Sequence, residues 1–142
     1  MIVPFEPAHL ARLALQPAQA IMQPTLADPA YGQSLQDAGH AYSLIVGDEV
    51  LGCMGLIKQW DERAIAWGLI GGGAGRHFLR IHKAVLATMD LHRFRRIETS
   101  VTCNFENGRR WAQSLGFVYE GTMKAFTPDG RDCDLFAKVR TS

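Results

Sequence analysis

The chain has 142 residues and a mass of 15.7 kDa, which is enough to bury one hydrophobic core and too little for two ordinary domains. Hydrophobic residues make up 47% and charged residues 20%, so disordered and fibrous classes are excluded. Fifteen Lys and Arg against fourteen Asp and Glu leave a formal charge of +1, which gives no general support for nucleic-acid or acidic-membrane binding. We expect one domain spanning residues 1–142 and no nucleic-acid partner.

The three cysteines, Cys53, Cys103 and Cys133, are odd in number and lack the spacing of zinc ligands. Neither a disulfide framework nor a metal site is predicted. The N-terminal residues lack a basic segment followed by a long apolar run, and no stretch reaches membrane-spanning length. The sequence therefore favours a cytoplasmic protein without a membrane partner.

The first forty residues predict a short edge strand followed by short helices. Ile2 to Phe5 suits an edge strand, where Pro4 is tolerated. Apolar spacing predicts helical segments over residues 10–14 and 18–22, the second ending at Pro24. Asp28-Pro29 then begins a helix that Gly39 closes.

The middle of the chain predicts three strands and a long helix. A strand ending at Val46 turns through Gly47-Asp48 into a central strand over 50–57, and a third strand follows over 64–70. Five residues, Gly71-Gly72-Gly73-Ala74-Gly75, lead from it into a helix over 76–91. The spacing places Phe78 on the buried side of that helix.

The last third predicts a strand over 97–103, a helix that begins at Asn104, and a hairpin. Gly116 suits the left-handed position just past a helix end, and Phe117 can fold back onto the last turn. The closing hairpin, over 118–126 and 131–140, turns at Thr127-Pro128-Asp129-Gly130 as a type I turn. The order of elements predicts an α/β (α+β) fold, with a mixed, mainly antiparallel central sheet and helices on both faces.

The glycine-rich loop is a candidate anion site. Glycines between a strand and a helix allow close approach of a ligand to the backbone, and the helix N-terminus favours negative charge. Arg76 and His77 stand in the first helical turn, where a bound anion would offset their unfavourable interaction with the helix dipole. This geometry suits a pyrophosphate. The alternative is a tight turn followed by a solvated Arg76.

The wording Leu115-Gly116-Phe117, followed two residues later by Glu120-Gly121, resembles the closing helix and strand of the GNAT superfamily, the GCN5-related N-acetyltransferases. The resemblance is best from Tyr42 to Val139. It implies a GNAT fold and an N-acetyltransferase that moves an acetyl group from acetyl-CoA to an amine on a small molecule or a protein.

The resemblance also implies cofactor contacts. The GNAT pyrophosphate loop aligns its glycines with Gly73, Ala74 and Gly75, so the implied cofactor-binding residues are Gly72, Gly73, Ala74, Gly75, Arg76 and Asn104. Asn104 corresponds to an asparagine that touches the pantetheine arm. Ile70 replaces the usual Gln or Arg, with Arg76 as its substitute, and Ala112 replaces the tyrosine that serves as general acid in many members.

Glu98 and Ser100 are the candidate catalytic residues, on the strand where the resemblance places the transfer site. Glu98 would act as base, directly or through water, with its side chain open to the cleft, and Ser100 would orient a water or an amine. The alternatives are a structural charge and an ordinary strand hydroxyl. Cys103 suggests an acyl-cysteine nucleophile, although a free cysteine is more often a small buried hydrophobe.

More narrowly, HRFRRIE, RWAQSLGF and TPDGRD resemble the small GNAT-like proteins of tailed bacteriophages. That resemblance implies an alternative: a catalytically decayed GNAT-fold protein that binds a bacterial host protein or is virion-associated. The basic group His92, Arg93, Arg95 and Arg96 could contact phosphate or an acidic partner, but its place at a helix end favours a role in satisfying the terminal carbonyls and the helix dipole. The sequence leaves the oligomeric state open.

Overall fold

The computed structural model describes residues 1–15 and 17–141. The strands in chain order are β1 (Ile2–Pro4), β2 (Ala41–Val46), β3 (Glu49–Trp60), β4 (Arg63–Ile70), β5 (Arg96–Thr102), β6 (Val118–Met123) and β7 (Cys133–Val139). The α-helices are α1 (Ala8–Ala11), α2 (Gln23–Leu26), α3 (Pro29–Asp37), α4 (Phe78–His92) and α5 (Glu106–Ser114). Two 3-10 helices, Pro17–Met22 and Ala74–His77, precede α2 and α4.

The strands form one seven-stranded sheet in the order β1-β2-β3-β4-β5-β7-β6. Antiparallel pairs join β1 to β2, β2 to β3, β5 to β7 and β6 to β7, while β4 and β5 are parallel. A mixed, mainly antiparallel sheet flanked by helices is the predicted fold class, which the structure confirms.

The predicted turns are confirmed where glycine determines the backbone. Val46 pairs with Glu49 across the two-residue turn, in which Gly47 has a φ of +61°. Gly116 has a φ of +95° just past α5, and the Phe117 N–H folds back to donate to the Ala112 carbonyl at 3.0 Å. In the last hairpin the Gly130 N–H donates to the Thr127 carbonyl at 2.9 Å.

The helices differ from the prediction in three boundaries and in the burial of one residue. α1 ends at Ala11, and Pro24 stands in the first turn of α2 rather than ending a helix. Phe78 is 46% exposed, so its predicted place on the buried side of the helix is wrong. Phe78 is the first residue of α4, and the buried residues of that helix begin one turn later, at Ile81. Asn104 lies before α5, which begins at Glu106.

Contacts divide the chain into two compact units. The first comprises Met1–Ile57 and Ala66–His92. Its core is built from apolar side chains of helices α1 to α3, of strands β3 and β4, and of the segments after β1 and α1: Phe5, Leu10, Leu13, Leu26, Leu35, Val50, Cys53 and Leu69.

The second unit comprises Lys58–Ile65 and Arg93–Ser142. β7 is its central strand, and Phe136 on that strand is fully buried. Ala112, Leu115 and Phe117, from α5 and its end, are also buried. Among the helices formed by the described residues, none is long and apolar enough to cross a membrane.

Candidate functional site

The glycine turn after β4 is held to the first unit by its own N–H groups. The Gly71 N–H donates to the Leu51 carbonyl at 2.8 Å, and the Gly72 N–H donates to the Ala14 carbonyl at 2.7 Å. The Ala74 N–H donates to the Gly71 carbonyl at 3.1 Å. The N–H groups of Gly72 and Ala74 are thus engaged within the protein, which leaves these two residues only a space-filling part in holding an anion.

The two remaining glycines of the turn differ in their surroundings. A Cβ added at Gly73 would lie 2.5 Å from Glu49 Oε2, so the Glu49 carboxylate is packed directly against this residue. A Cβ added at Gly75 would meet no heavy atom within 4 Å. The carboxylate opposes an anion at Gly73, and the open space lies at the Gly75 end of the turn.

Arg76 supplies the positive charge at that open end. Its side chain is exposed, and it takes part in none of the ion pairs formed by the described residues. Arg80 and Lys83 are also exposed, four and seven residues further along the same helical run. This spacing places the three cations on one side of α4 and its preceding turn. We call Arg76, Arg80 and Lys83 the α4 basic face.

Gln19, which the sequence analysis missed, binds the backbone of β4 beside the glycine turn. Its side-chain Nε2 donates to the Gly68 carbonyl at 2.7 Å, and its Oε1 accepts from the Ile70 N–H at 2.8 Å. A side-chain amide thus satisfies one donor and one acceptor of the strand, as a neighbouring strand would. An extended amide ligand that paired with these groups would have to displace Gln19. Nothing in the local sequence signals this contact, because the two partners are about fifty residues apart.

Glu98 on β5 is enclosed by two arginines in the second unit. Arg63 donates to both carboxylate oxygens, with Nη2 at 3.1 Å from Oε1, and Arg96 Nε lies 3.1 Å from Oε2. Glu98 is only 8% exposed. The hydrogen bonds from Arg63 are the main cause that holds the pKa of this carboxyl below its usual value. The prediction that the Glu98 side chain is open to the cleft is therefore wrong.

This environment makes Glu98 a weak base, because two cations stabilise its charged form. Arg96 also pairs with Glu120, which extends the cluster to a second carboxylate. Ser100 lies two residues further on the same face of β5 and is exposed. Ser100 is therefore accessible to solvent, and its role in orienting a water or an amine stays a prediction.

Cys103 follows β5 and is tied to a buried carboxylate that the sequence analysis missed. Its Sγ lies 3.4 Å from Asp134 Oδ1, and Asp134 is 7% exposed. Burial and the neighbouring Asp134 raise the pKa of the Cys103 thiol, which opposes thiolate formation. The acyl-cysteine alternative is therefore disfavoured. A charged residue between the apolar Cys133 and Leu135 of a strand was the one available signal for Asp134.

Asp134 also joins β7 to β6 and α5. The Thr122 hydroxyl donates to Asp134 Oδ1 at 3.0 Å and lies 2.7 Å from the Tyr119 hydroxyl. Arg109 Nη2 lies 3.8 Å from Asp134 Oδ2. Tyr119 and Thr122 share one face of β6 because the register shifts by one residue between Tyr119 and Gly121. A hydrogen-bonded path thus runs from the Cys103 thiol to the exposed Tyr119 phenol.

The predicted site residues fall into two groups. Gly72, Gly73, Ala74, Gly75 and Arg76 lie together on the turn before α4 in the first unit. Glu98 and Ser100 share a face of β5 in the second unit, and Asn104 is exposed in the turn after it with a φ of +70°. The described part of the chain contains no group of His, Cys, Asp and Glu side chains that could hold a metal ion.

No protein-family model matches the sequence, and no curated protein matches it. Among solved structures, Ard1 from Thermoplasma volcanium superposes with a TM-score of 0.80 at 15% identity, covering 100% of this chain and 98% of that one. A GNAT-family acetyltransferase from Bacillus anthracis gives a TM-score of 0.68 at 12% identity over 97% and 93% of the two chains.

A third structure, a GNAT-family acetyltransferase from Elizabethkingia anophelis with acetyl-CoA bound, gives a TM-score of 0.63 at 15% identity. It covers 81% of this chain and 86% of that chain. At these identities the comparisons show that the chain has the fold of GNAT acetyltransferases, which confirms the fold that the resemblance implied.

Proposed function

We propose that this protein is an N-acetyltransferase that moves an acetyl group from acetyl-CoA to an amine acceptor. The carrying observation is the glycine turn that opens into α4 at the unpaired Arg76, in a fold shared with GNAT acetyltransferases. One of these neighbours was solved with acetyl-CoA bound. Fold alone does not determine function, so the proposal depends on this site.

The residues of the turn fit the phosphates of the cofactor at one end only. Gly75 leaves open space for a phosphate, and Arg76 supplies a guanidinium whose fork geometry matches phosphate oxygens. The Glu49 carboxylate beside Gly73 directs the anion away from the middle of the turn. Arg80 and Lys83 add positive charge along the same side of α4. We therefore assign the cofactor phosphates to Gly75 and the α4 basic face rather than to the N–H groups of Gly72 and Ala74.

When bound, acetyl-CoA supplies the activated acetyl thioester. The protein must orient the amine, accept its proton and supply a donor to the departing thiolate. Ser100 is the exposed hydroxyl on β5 proposed to orient the amine or a water, and Asn104 is the proposed contact for the pantetheine arm. Glu98 we assign to the fold rather than to proton transfer, because Arg63 and Arg96 hold it charged.

Arg76→Glu tests the cofactor assignment. Replacing an attractive by a repulsive charge at the phosphates is expected to weaken CoA binding by about tenfold or more in isothermal titration calorimetry. Arg110→Glu is the matched control, since Arg110 is an exposed cation on α5 and the change in net charge is the same. CoA affinity that is equal in the two variants would remove Arg76 from the site.

A second candidate function is binding without catalysis. The observation that favours it is that Glu98 and Cys103 are engaged within the fold, while Ala112 stands where many GNAT enzymes have a tyrosine. The protein would then bind another protein, such as one of a bacterial host, without acetylating it. A wild-type protein that binds neither CoA nor acetyl-CoA would favour this candidate over the enzyme.

A further inference from the structure

An open cavity of about 470 Å³ lies in the second unit, lined by Glu62, Arg93, Arg95, Arg140 and Thr141. The arginines come from two places: Arg93 and Arg95 lie in the short connection between α4 and β5, and Arg140 follows β7. Backbone bonds hold these segments side by side. The Arg140 N–H donates to the Arg95 carbonyl at 2.8 Å, and the Arg96 N–H donates to the Glu62 carbonyl at 2.9 Å.

The charge in this cavity is not balanced. Among the described residues that line it, Glu62 is the one carboxylate, and its Oε2 lies 3.4 Å from Arg95 Nε. Both side chains of this pair are more than half exposed, so the pair is weak and readily exchanged for another anion. Neither Arg93 nor Arg140 belongs to an ion pair among the described residues. The described lining thus contains three arginines and one carboxylate.

The backbone at Arg93 adds a second observation. Its φ is +51°, in the left-handed region that non-glycine residues rarely adopt. Glycine would relieve this strain at a helix end, yet the position carries an arginine that lines the cavity. A role in satisfying the helix terminus does not by itself require three arginines to meet in one cavity.

We propose that this cavity binds a small ligand that carries two or more phosphate groups. Its volume lies within the range of small-molecule sites. Arginine recognises phosphate oxygens through paired N–H donors, and a dianionic phosphate group matches the excess positive charge better than a single carboxylate does. The Thr141 side chain provides one further hydroxyl. This inference is independent of the acetyl-CoA site, which rests on Arg76.

The test is calorimetric titration with inorganic pyrophosphate, ADP and citrate at low ionic strength. Pyrophosphate and ADP are expected to bind, and citrate more weakly. Raising NaCl from about 20 mM to about 500 mM is expected to reduce the pyrophosphate affinity by about fivefold or more, because the arginines are exposed. If ADP binds and pyrophosphate does not, the cavity recognises the nucleoside rather than the phosphates, and the phosphate assignment is overturned.

Two substitutions of opposite sign locate the site. Arg93→Gln is expected to weaken pyrophosphate binding by about tenfold, and Glu62→Gln is expected to strengthen it by about threefold. Arg110→Gln and Glu106→Gln are the matched controls for net charge on exposed α5 positions, and neither is expected to change the affinity. If the control variants change the pyrophosphate affinity as much as the cavity variants do, the effect is a general one of net charge and the proposal is overturned.

Two further outcomes also decide against it. Since acetyl-CoA itself carries phosphates, Arg76→Glu is titrated with pyrophosphate as well, and a loss of binding there would assign pyrophosphate to the glycine turn. If neither pyrophosphate nor ADP gives a heat of binding and an Asp/Glu-rich peptide does bind, this surface is a contact for an acidic partner. A thermal melt of each variant confirms that it is folded.

Discussion

Glu98→Gln is expected to destabilise the protein by about 2 to 3 kcal/mol, because it leaves Arg63 and Arg96 facing a neutral side chain at a buried position. The value lies below the full cost of breaking a buried pair, since the arginine side chains remain 25% and 31% exposed. Chemical denaturation measures the free energy of unfolding. Glu120→Gln is the matched control: its side chain is 37% exposed, so a clearly smaller loss of stability is expected.

The lowered pKa of Glu98 also predicts how the free energy of unfolding depends on pH. The pKa of Glu98 is lowered in the folded state, so the unfolded chain binds its proton more readily. Its contribution is therefore fully present above the ordinary carboxyl pKa of about 4.3 and is lost as the pH falls through the lower folded pKa. Wild-type protein should lose stability below about pH 4.3 more steeply than Glu98→Gln.

Activity separates the structural role of Glu98 from the catalytic one. Measured where both proteins are folded, Glu98→Gln should keep its acetylation rate within about threefold of wild type if the carboxylate only supports the fold. A loss of about 100-fold with unchanged CoA affinity would show that it is the base after all.

Gly55→Ala is expected to cost about 2 to 3 kcal/mol through overpacking on β3. Its added Cβ would lie 2.6 Å from Trp67 Nε1, 2.8 Å from Trp67 Cε2 and 3.0 Å from the His40 carbonyl oxygen. A rigid indole and a backbone carbonyl cannot move aside cheaply, so the strand or the indole must shift. The measurement is again the free energy of unfolding.

Gly68→Ala is the control for this substitution. Gly68 lies on β4 in the same unit, and an added Cβ there meets no heavy atom within 4 Å. A change of about 1 kcal/mol or less, of either sign, is expected. The double variant Gly55→Ala/Trp67→Leu should lose less than the sum of the two single losses, since removing the indole also removes the overlap with the added Cβ. Equal stability of the two glycine variants would contradict the packing described around Trp67.

The elements that the sequence predicted well are those set by local backbone demands. Gly47 and Gly116 occupy positive φ values at a hairpin turn and at a helix end, and both features were readable from neighbouring residues. Phe78 was misplaced because it is the first residue of α4, one turn before the first buried residue, Ile81, and apolar spacing alone does not show where along a helix burial begins.

The environment of the candidate site was harder to predict, because it depends on strand register. Arg96 lies two residues from Glu98, but Arg63 is 35 residues away and reaches it only through the parallel pairing of β4 with β5. Gln19 reaches Gly68 and Ile70 from a 3-10 helix about fifty residues earlier. Composition and residue spacing do not indicate such long-range contacts. The Glu98 carboxylate, which the sequence suggested was free, is therefore enclosed in the structure.

The most direct test of the proposed acetyltransferase is an assay of wild-type protein with acetyl-CoA and a panel of small amines and lysine peptides. Thiol release and acetylated amine are measured together. The proposal predicts equal amounts of both, with at least one amine above the uncatalysed rate, and a raised KM for acetyl-CoA in Arg76→Glu. If a protein shown to be folded neither releases thiol nor binds acetyl-CoA in calorimetry, the proposal is contradicted.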